Sequence, residues 1–332
     1  MIEVKHLTKR YGDNTAVSDL SFTIEKGRIY GFLGPNGAGK STTMNIMTGC
    51  LAATSGEVRI GGYDIFEEPL QAKKLIGYLP EQPPVYLDRT PREYLTFVAR
   101  AKGIPEKQIR MHLEQVMTET QIIGVADRLI KNLSKGYRQR VGIAQALLGN
   151  PEVIILDEPT VGLDPLQIIE IRELIQQLGE DHTVILSSHI LSEVQAVCHT
   201  ILIISKGKLV ACDTPKNLEK MFAGTGSVEL TAAASEAEVR EILSQVNGIL
   251  DMEFSGDENR CSVTITSDRV EGDGLCEDIF FAFSRAGRAI LQMTMAKASL
   301  EDIFIELTDS GENEQLQTVP EQEETIVQED AD

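Results

Sequence analysis

The chain has 332 residues, 42% of them hydrophobic, and a formal charge of −20. This length is sufficient for two domains, each with an ordinary hydrophobic core. The strongly negative charge argues against a general nucleic-acid-binding protein, because such binding needs a basic surface.

The first two thirds of the chain change from strands to helices and then alternate between them. Strand-like segments crowd the first 65 residues and read IEVKHL, LSFTIE, RIYGFLG and EVRIGGYDI. From about residue 90 the pattern is helical, beginning with a capping box of Thr90 and Glu93 around Pro91. Short apolar strands then alternate with helices, which predicts a parallel sheet with crossover helices. These strands lie at 153–156, 183–188 and 200–205.

A smaller unit with a different pattern follows the sequence GTGS at 224–227. It is predicted as strand, helix, strand, strand, helix, strand, helix, and its first and last helices begin at the capping residues Ser235 and Ser299. We therefore predict a larger α/β domain over residues 1–224, with a helical subdomain at about 83–150, and an accessory α+β domain over residues 225–308.

The end of the chain is acidic throughout. Residues 309–332 contain nine acidic side chains and no basic one, so this tail has little to bury and is expected to be disordered. A solubilising tail is favoured over a docking segment. In the unit before it, Cys261, Asp273 and Cys276 lack the spacing of a catalytic or metal site, which favours packing or dimer support over ligand binding.

The five cysteines show neither a C-x-x-C pair nor a zinc-type spacing with histidine. We expect free, mostly buried thiols in a reducing compartment. The start, MIEVKHLTKRYG, carries charge where a signal peptide needs an apolar core, and the longest apolar runs are far too short to span a membrane. The expected location is the cytosol or the cytosolic face of a membrane.

The most specific motif is GPNGAGKST, which fits the phosphate-binding pattern G-x-x-x-x-G-K-[ST]. Glycines let backbone N–H groups turn toward phosphates, Lys40 can reach the β- and γ-phosphates of a nucleotide, and Ser41 can ligate Mg²⁺. The strand before it and the helix-compatible run after it favour a P-loop over a mere glycine-rich turn. The candidate binding residues are Gly34, Pro35, Asn36, Gly37, Ala38, Gly39, Lys40, Ser41 and Thr42.

A second motif, VIILDEPT, places two carboxylates at the end of a buried strand. Asp157 can help to hold Mg²⁺, and Glu158 can polarise a water for attack on a γ-phosphate. The alternative is a strand that ends in an ordinary helix N-cap, where acidic residues are common. The P-loop earlier in the chain weighs against that alternative.

The stretch LSKGYRQR at 133–140 predicts a helix whose N-cap is Ser134. It also places Lys135, Arg138 and Arg140 near a helix N-terminus, where the dipole already favours an anion. These cations either contribute to anion binding or only balance local acidity.

Taken together and in order, the motifs resemble the ATP-binding subunit of an ABC transporter. The resemblance covers about residues 1–220. It includes three residues that, taken alone, could equally be ordinary packed or capping side chains: Tyr11, Gln82 and His189. It implies that Tyr11 stacks on adenine, that Gln82 senses Mg²⁺ and the attacking water, and that His189 contacts the γ-phosphate. It also implies that Glu158 is the general base.

The same resemblance makes LSKGYRQR the signature motif, which closes over the ATP of the opposite subunit in a head-to-tail dimer. Ser134 and the backbone of Gly136 are then expected to meet the γ-phosphate, and Asp164 to belong to the interface loop GLDP. The motif departs from the commonest form, LSGGQ, because Lys135 replaces a glycine and Tyr137 replaces the glutamine. This form is similar to the cassettes of ABC-2-type exporters, including the multidrug and gliding-motility groups.

The resemblance implies an α/β, RecA-like P-loop core with an antiparallel β subdomain, a helical insertion and a small C-terminal α+β accessory domain. The implied activity is hydrolysis of ATP with Mg²⁺ by a homodimer, coupled to export by a separate integral membrane permease. The permease would dock near residues 82–86 and the helical insertion. The implied location is peripheral, on the cytoplasmic face of the cell membrane, with no nucleic-acid partner.

Two alternatives stay open on the sequence alone. A soluble cassette ATPase acting on ribosomes or DNA is disfavoured by the single P-loop motif and by the negative charge. A non-hydrolysing, nucleotide-dependent scaffold is disfavoured because Glu158 fills the position of the base.

Overall fold

The computed structural model describes residues 1–222, 226–257, 260–267 and 273–296. The predicted helix that begins at Ser299 and the acidic tail lie outside these residues. Within residues 1–222 the strands are β1 (Ile2–Tyr11), β2 (Asn14–Ile24), β3 (Ile29–Leu33), β4 (Ser55–Ile60), β5 (Tyr63–Asp64), β6 (Ile76–Leu79), β7 (Val153–Leu156), β8 (Thr183–Ser188), β9 (Thr200–Ser205) and β10 (Lys208–Asp213). The α-helices there are α1 (Lys40–Met47), α2 (Pro69–Lys74), α3 (Pro91–Ala101), α4 (Glu106–Glu119), α5 (Lys135–Leu147), α6 (Pro165–Asp181), α7 (Leu191–Val197) and α8 (Pro215–Phe222).

A six-stranded sheet, ordered β10-β9-β3-β8-β7-β6, forms the centre of this part of the chain. Strands β9, β3, β8, β7 and β6 are parallel, as the alternating pattern predicted. Every residue of β3 is buried because both faces of the sheet are covered. Ile29 and Leu33 pack into a core with residues of α3 to α7, whereas Tyr30 and Phe32 pack into a second core with the antiparallel strands.

A second sheet, ordered β2-β1-β4-β5, is antiparallel throughout. The prediction of one strand over the segment EVRIGGYDI is wrong, because the chain turns at Gly61 and Gly62 and β4 and β5 form a hairpin. These glycines have φ values of 59° and 89°. A tight two-residue hairpin turn requires such values, and glycine adopts them without strain.

Helices α3, α4 and α5 occupy the stretch that was predicted to be helical. The capping box at the start of α3 is present, with Thr90 and Glu93 each accepting a hydrogen bond from the backbone N–H of the other. Two glycines bring α5 close to the central sheet. A Cβ on Gly77 of β6 would lie 2.3 Å from Ala146 O, and one on Gly142 of α5 would lie 2.5 Å from a leucine side chain of β6. These small residues therefore fix how closely α5, which begins within LSKGYRQR, approaches the sheet.

After residue 225 the described chain forms a four-stranded antiparallel sheet with two helices. Its elements are β11 (Gly226–Ala232), α9 (Glu236–Leu243), β12 (Ile249–Asp257), β13 (Arg260–Ser267), α10 (Asp273–Arg285) and β14 (Ile290–Ala296). The strand order is β12-β13-β11-β14, and the buried apolar side chains form a core of their own. The fold class predicted from the sequence is confirmed, while the domain boundaries stay a prediction.

None of the five cysteines, which all lie in the described part of the chain, forms a disulfide, but the expectation that most are buried is wrong. Cys198 and Cys261 are buried and Cys276 is partly buried, whereas Cys50 and Cys212 are exposed. Cys50 follows the end of α1, and Cys212 lies on the edge strand β10, where side chains reach solvent.

Among the described residues, no helix is both long and apolar enough to cross a bilayer.

Candidate nucleotide-binding site

The candidate site lies at the edge of the central sheet where its parallel strands end. Strands β3, β8 and β7 are neighbours in the sheet, so the segments that follow them lie side by side. The P-loop follows β3, Asp157 and Glu158 follow β7, and His189 follows β8. The topology therefore brings together three motifs that are far apart in the sequence.

The P-loop packs tightly against neighbouring backbone as it enters α1. A Cβ on Gly34 would lie 2.3 Å from Ile204 O, and one on Gly39 would lie 2.6 Å from Ala16 O. Gly39 is also the residue before α1 and has a φ of 105°, which side chains rarely tolerate. The N–H groups at the start of α1 thus line the cleft, as phosphate binding requires.

The Lys40 side chain is buried beside the carboxylate of Glu158. Its Nζ donates to Gly34 O at 2.7 Å and to Pro35 O at 3.3 Å. The same Nζ lies 3.5 Å from Glu158 Oε1. Burial of both charges is tolerated because they are paired and hydrogen-bonded.

Asp157 accepts hydrogen bonds from two serine hydroxyls. Its Oδ1 lies 3.1 Å from Ser41 Oγ and 2.6 Å from Ser187 Oγ. Ser187 Oγ in turn accepts the backbone N–H of Glu158 at 2.8 Å. The structure thus brings the predicted metal ligands Ser41 and Asp157 into contact. It adds Ser187, which the sequence analysis missed because a serine near the end of a buried strand gives no signal by itself.

Glu158 lies between a cation and an imidazole. Its Oε2 is 2.9 Å from His189 Nδ1, and the Nδ1–H donates because an ionised carboxylate can only accept. The backbone φ of Glu158 is 47°, a left-handed conformation. For a residue other than glycine it costs roughly 1–2 kcal/mol. Such strain persists where the surroundings hold it, and it is concentrated at functional sites.

A cleft of about 490 Å³ is lined by Lys40, Ser41, Glu158 and His189, together with Tyr11 at the end of β1. Asp157 is not among its wall residues. Tyr11 is half exposed, and Lys9 Nζ lies 5.1 Å from its ring centroid. Gln82 is exposed and lines an adjacent cleft of about 470 Å³, whereas its neighbour Glu81 lines both clefts. The structure therefore places Gln82 beside the nucleotide cleft and not in its wall. The P-loop residues in the wall are Asn36, Gly37, Ala38, Gly39, Lys40, Ser41 and Thr42.

Part of the motif LSKGYRQR, namely Ser134, Gly136, Tyr137 and Arg140, lines a different cleft, of about 270 Å³. Lys135 and Arg138 instead line the cleft that holds Gln82. Ser134 is the N-cap of α5, as predicted, and its side chain accepts a hydrogen bond from the N–H of Tyr137. Gly136 is buried so closely against Gln167 that a Cβ would lie 2.8 Å from Gln167 Cδ. Asp164 caps α6 by accepting the Gln167 N–H at 2.9 Å. The structure thus brings Ser134, Gly136 and Asp164 together, and within the described chain this cleft shares no wall residue with the nucleotide cleft.

The two arginines of this motif bind protein groups. Arg138 donates to two backbone carbonyls of the 3-10 turn Ile130–Asn132. Arg140 is buried and joins the end of α4 to the Glu170 carboxylate of α6. Lys135 is exposed, by contrast. Both arginines therefore hold the segments around α5 in place, a role that periodicity alone did not reveal.

Comparison with known proteins identifies the family. A profile described as "ABC transporter" matches residues 17–161. Over 323 residues the chain is 36% identical to the ABC transporter ATP-binding protein YhcH of Bacillus subtilis, covering 95% of this chain and 98% of that protein. It is 34% identical to the bacitracin transport ATP-binding protein BcrA of Bacillus licheniformis, covering 94% and 98%.

Solved structures agree with these relatives. An ATP-binding subunit of an ABC transporter superimposes with a TM-score of 0.61 at 30% identity, covering 67% of this chain and 93% of that one. The ATP-binding cassette MJ0796, dimeric and bound to ADP and Pi after hydrolysis, gives a TM-score of 0.58 at 25% identity, covering 64% and 98%. The resemblance seen in the motifs is confirmed, and the chain belongs to the ABC transporter family as an ATP-binding subunit.

Proposed function

We propose that the chain binds and hydrolyses ATP as one half of a homodimer that encloses two MgATP. The observation that carries this proposal is the separation of the two half-sites, since the P-loop and Ser134 line different clefts of one chain. Two copies arranged head to tail would place Ser134 and Gly136 of each over the P-loop of the other. The dimeric post-hydrolysis structure of the similar cassette MJ0796 supports this arrangement.

Each group in the cleft has a chemical role in that cycle. Tyr11 stacks on the base, and the P-loop N–H groups with Lys40 bind the phosphates. Glu158 accepts a proton from the attacking water, and His189 orients the Glu158 carboxylate through their hydrogen bond. The γ-phosphate contact of His189, the sensing role of Gln82 and the interface role of Asp164 are part of the same proposal.

The donor set beside the P-loop fits Mg²⁺. Ser41 and Asp157 both offer oxygen atoms, and these lie 3.1 Å apart. Mg²⁺ is usually held by one or two protein oxygens together with phosphates and water. When bound there, with Gln82 as a further predicted ligand, the ion would neutralise charge on the β- and γ-phosphates.

We further propose that a separate membrane permease uses this cycle for export. The names of two relatives support it, since BcrA is a bacitracin transport protein and SrtF of Streptococcus pyogenes a lantibiotic transport protein. A contact surface for the permease lies near Gln82, where Tyr86 and Phe97 are each about half exposed and their ring centroids are 5.5 Å apart. The chain would then work at the cytoplasmic face of the membrane, without a nucleic-acid partner.

The test is the solution mass of Glu158→Gln with and without ATP, measured by size-exclusion chromatography with light scattering. We expect a monomer that becomes a dimer with ATP, and a permanent monomer when Ser134→Arg is added. Binding of ATP without any change in mass would contradict the shared site. Steady turnover by the unsubstituted chain separates hydrolysis from a purely nucleotide-dependent scaffold, which would dimerise without turnover.

A further inference from the structure

Glu193 is a buried carboxylate in α7 to which none of the family motifs assigns a role. It is only 5% exposed. Its Oε2 accepts two hydrogen bonds, from Thr160 Oγ1 at 2.5 Å and from Ser188 Oγ at 2.9 Å. A buried carboxylate is costly unless hydrogen bonds compensate for its lost hydration, so these two hydroxyls fix its position.

Both hydroxyls flank the groups proposed to activate water. Thr160 lies two residues after Glu158, and Ser188 immediately precedes His189. Ser188 Oγ also accepts the N–H of Ile190 at 3.0 Å. A hydrogen bond therefore joins the residue before His189 to the residue after it. A single carboxylate oxygen thus joins the two loops that meet in the Glu158–His189 hydrogen bond.

The turn at Glu158 needs such support. Its left-handed φ of 47° persists only if the flanking residues are held. Ser187 holds the start of the turn by accepting the Glu158 N–H. The Thr160–Glu193 hydrogen bond holds its end, two residues later.

We infer that Glu193 is a positioning residue for hydrolysis, which acts through Thr160 and Ser188 to keep the Glu158 carboxylate in register with His189. This inference rests on the proposed ATPase function. Glu193 is not among the residues that line the nucleotide cleft. Its loss therefore changes the chemical step and leaves ATP binding intact.

Steady-state ATP hydrolysis by Glu193→Ala and Glu193→Gln tests whether the chemical step changes while ATP binding does not. We expect Glu193→Ala to lower kcat by about 10- to 100-fold, since a misplacement of about 1 Å has effects of that size. KM for ATP should change less than about twofold, because the binding groups are untouched. Glu193→Gln should recover most of the activity, because the amide oxygen can accept both hydroxyls. Ser192→Ala, at an exposed position of the same helix, is the matched control and should behave as wild type.

Hydrogen exchange gives a second readout that does not depend on turnover. In Glu193→Ala, exchange should become faster at residues 158–161 and at residues 188–190 together, with the rest of the chain unchanged. A wild-type chain that does not hydrolyse ATP would refute the proposed function, and the exchange result would still decide whether Glu193 couples the loops. Unchanged exchange in either loop, a wild-type kcat in Glu193→Ala, or equal inactivity of the Ala and Gln variants would overturn the inference.

Discussion

Removal of Glu170 should destabilise the protein more than removal of Arg140, although the two form one ion pair with an N···O distance of 2.8 Å. The Arg140 side chain is 6% exposed, whereas that of Glu170 is 45% exposed. Without Arg140, the remaining carboxylate is open to water. Without Glu170, a buried guanidinium keeps its hydrogen bonds to Thr120 O and Gln121 Oε1 but loses its counter-charge.

The magnitudes follow from the same contacts. Breaking a buried pair so that a charge is left alone costs about 3–5 kcal/mol, and the exposure of Glu170 puts Glu170→Ala near the lower value. Arg140→Met keeps the apolar stem but leaves the Thr120 carbonyl without this donor. We expect this to lower the free energy of unfolding by about 2 kcal/mol. In Arg140→Met/Glu170→Leu no charge remains. This double variant should therefore be more stable than Glu170→Ala.

Urea unfolding of the three variants measures this ranking. Because the chain contains separate hydrophobic cores, one two-state transition is not expected, so hydrogen exchange within α4, α5 and α6 should accompany it. Since Ser134 caps α5 and Gly136 lies in its first turn, Glu170→Ala should weaken the proposed ATP-dependent dimer as well. The reasoning fails if Arg140→Met is less stable than Glu170→Ala, or if the double variant is the least stable of the three.

Two further predictions concern the nucleotide cleft. Tyr11→Ala should raise KM for ATP by about 10-fold, because stacking of a base on an aromatic ring contributes about 1–3 kcal/mol. Tyr11→Phe should keep the wild-type KM, and an unchanged KM in the alanine variant would show that the ring does not contact the base. Gly34→Ala should abolish ATP binding in a titration, because the added Cβ would lie 2.3 Å from Ile204 O and would displace the P-loop. Gly124→Ala is its control, since a Cβ there meets no atom within 4 Å, and equal binding by both variants would refute the argument.

The sequence predicts those parts of the site that depend on neighbouring residues. Ser134 as an N-cap, the capping box at Thr90 and the P-loop before α1 were all predicted, because each involves hydrogen bonds or dihedral angles within about four residues. The parallel order of the strands also followed, since alternating strands and helices permit few other topologies. Each of these motifs directly follows a strand, and the strands are parallel. These two facts predict that one edge of the sheet carries the P-loop, Asp157, Glu158 and His189.

Long-range hydrogen bonds could not be predicted in the same way. Arg140 was left open between anion binding and charge balance, because nothing in LSKGYRQR shows that the side chain will be buried against Glu170 of α6. Gln82 was assigned to the metal site only because the other motifs resemble those of the family, and in the structure it lies beside the nucleotide cleft. Glu193 and Ser187 carried no signal at all, since a serine in a strand or a glutamate in a short helix is unremarkable until the register is known.

The end of β8 explains how a strained residue can serve in the site. Neighbouring residues of a strand point to opposite faces of the sheet, so Ser187 and Ser188 bond on different sides. Ser187 reaches Asp157 and the N–H of Glu158, and Ser188 reaches Glu193 and through it Thr160. Two hydroxyls on one buried strand thus hold both ends of the turn that carries Glu158. Because β8 pairs with both β3 and β7, the same strand also fixes this turn relative to the P-loop. Hydrogen bonds from β8 therefore hold the left-handed backbone of Glu158, which keeps its carboxylate between Lys40 and His189.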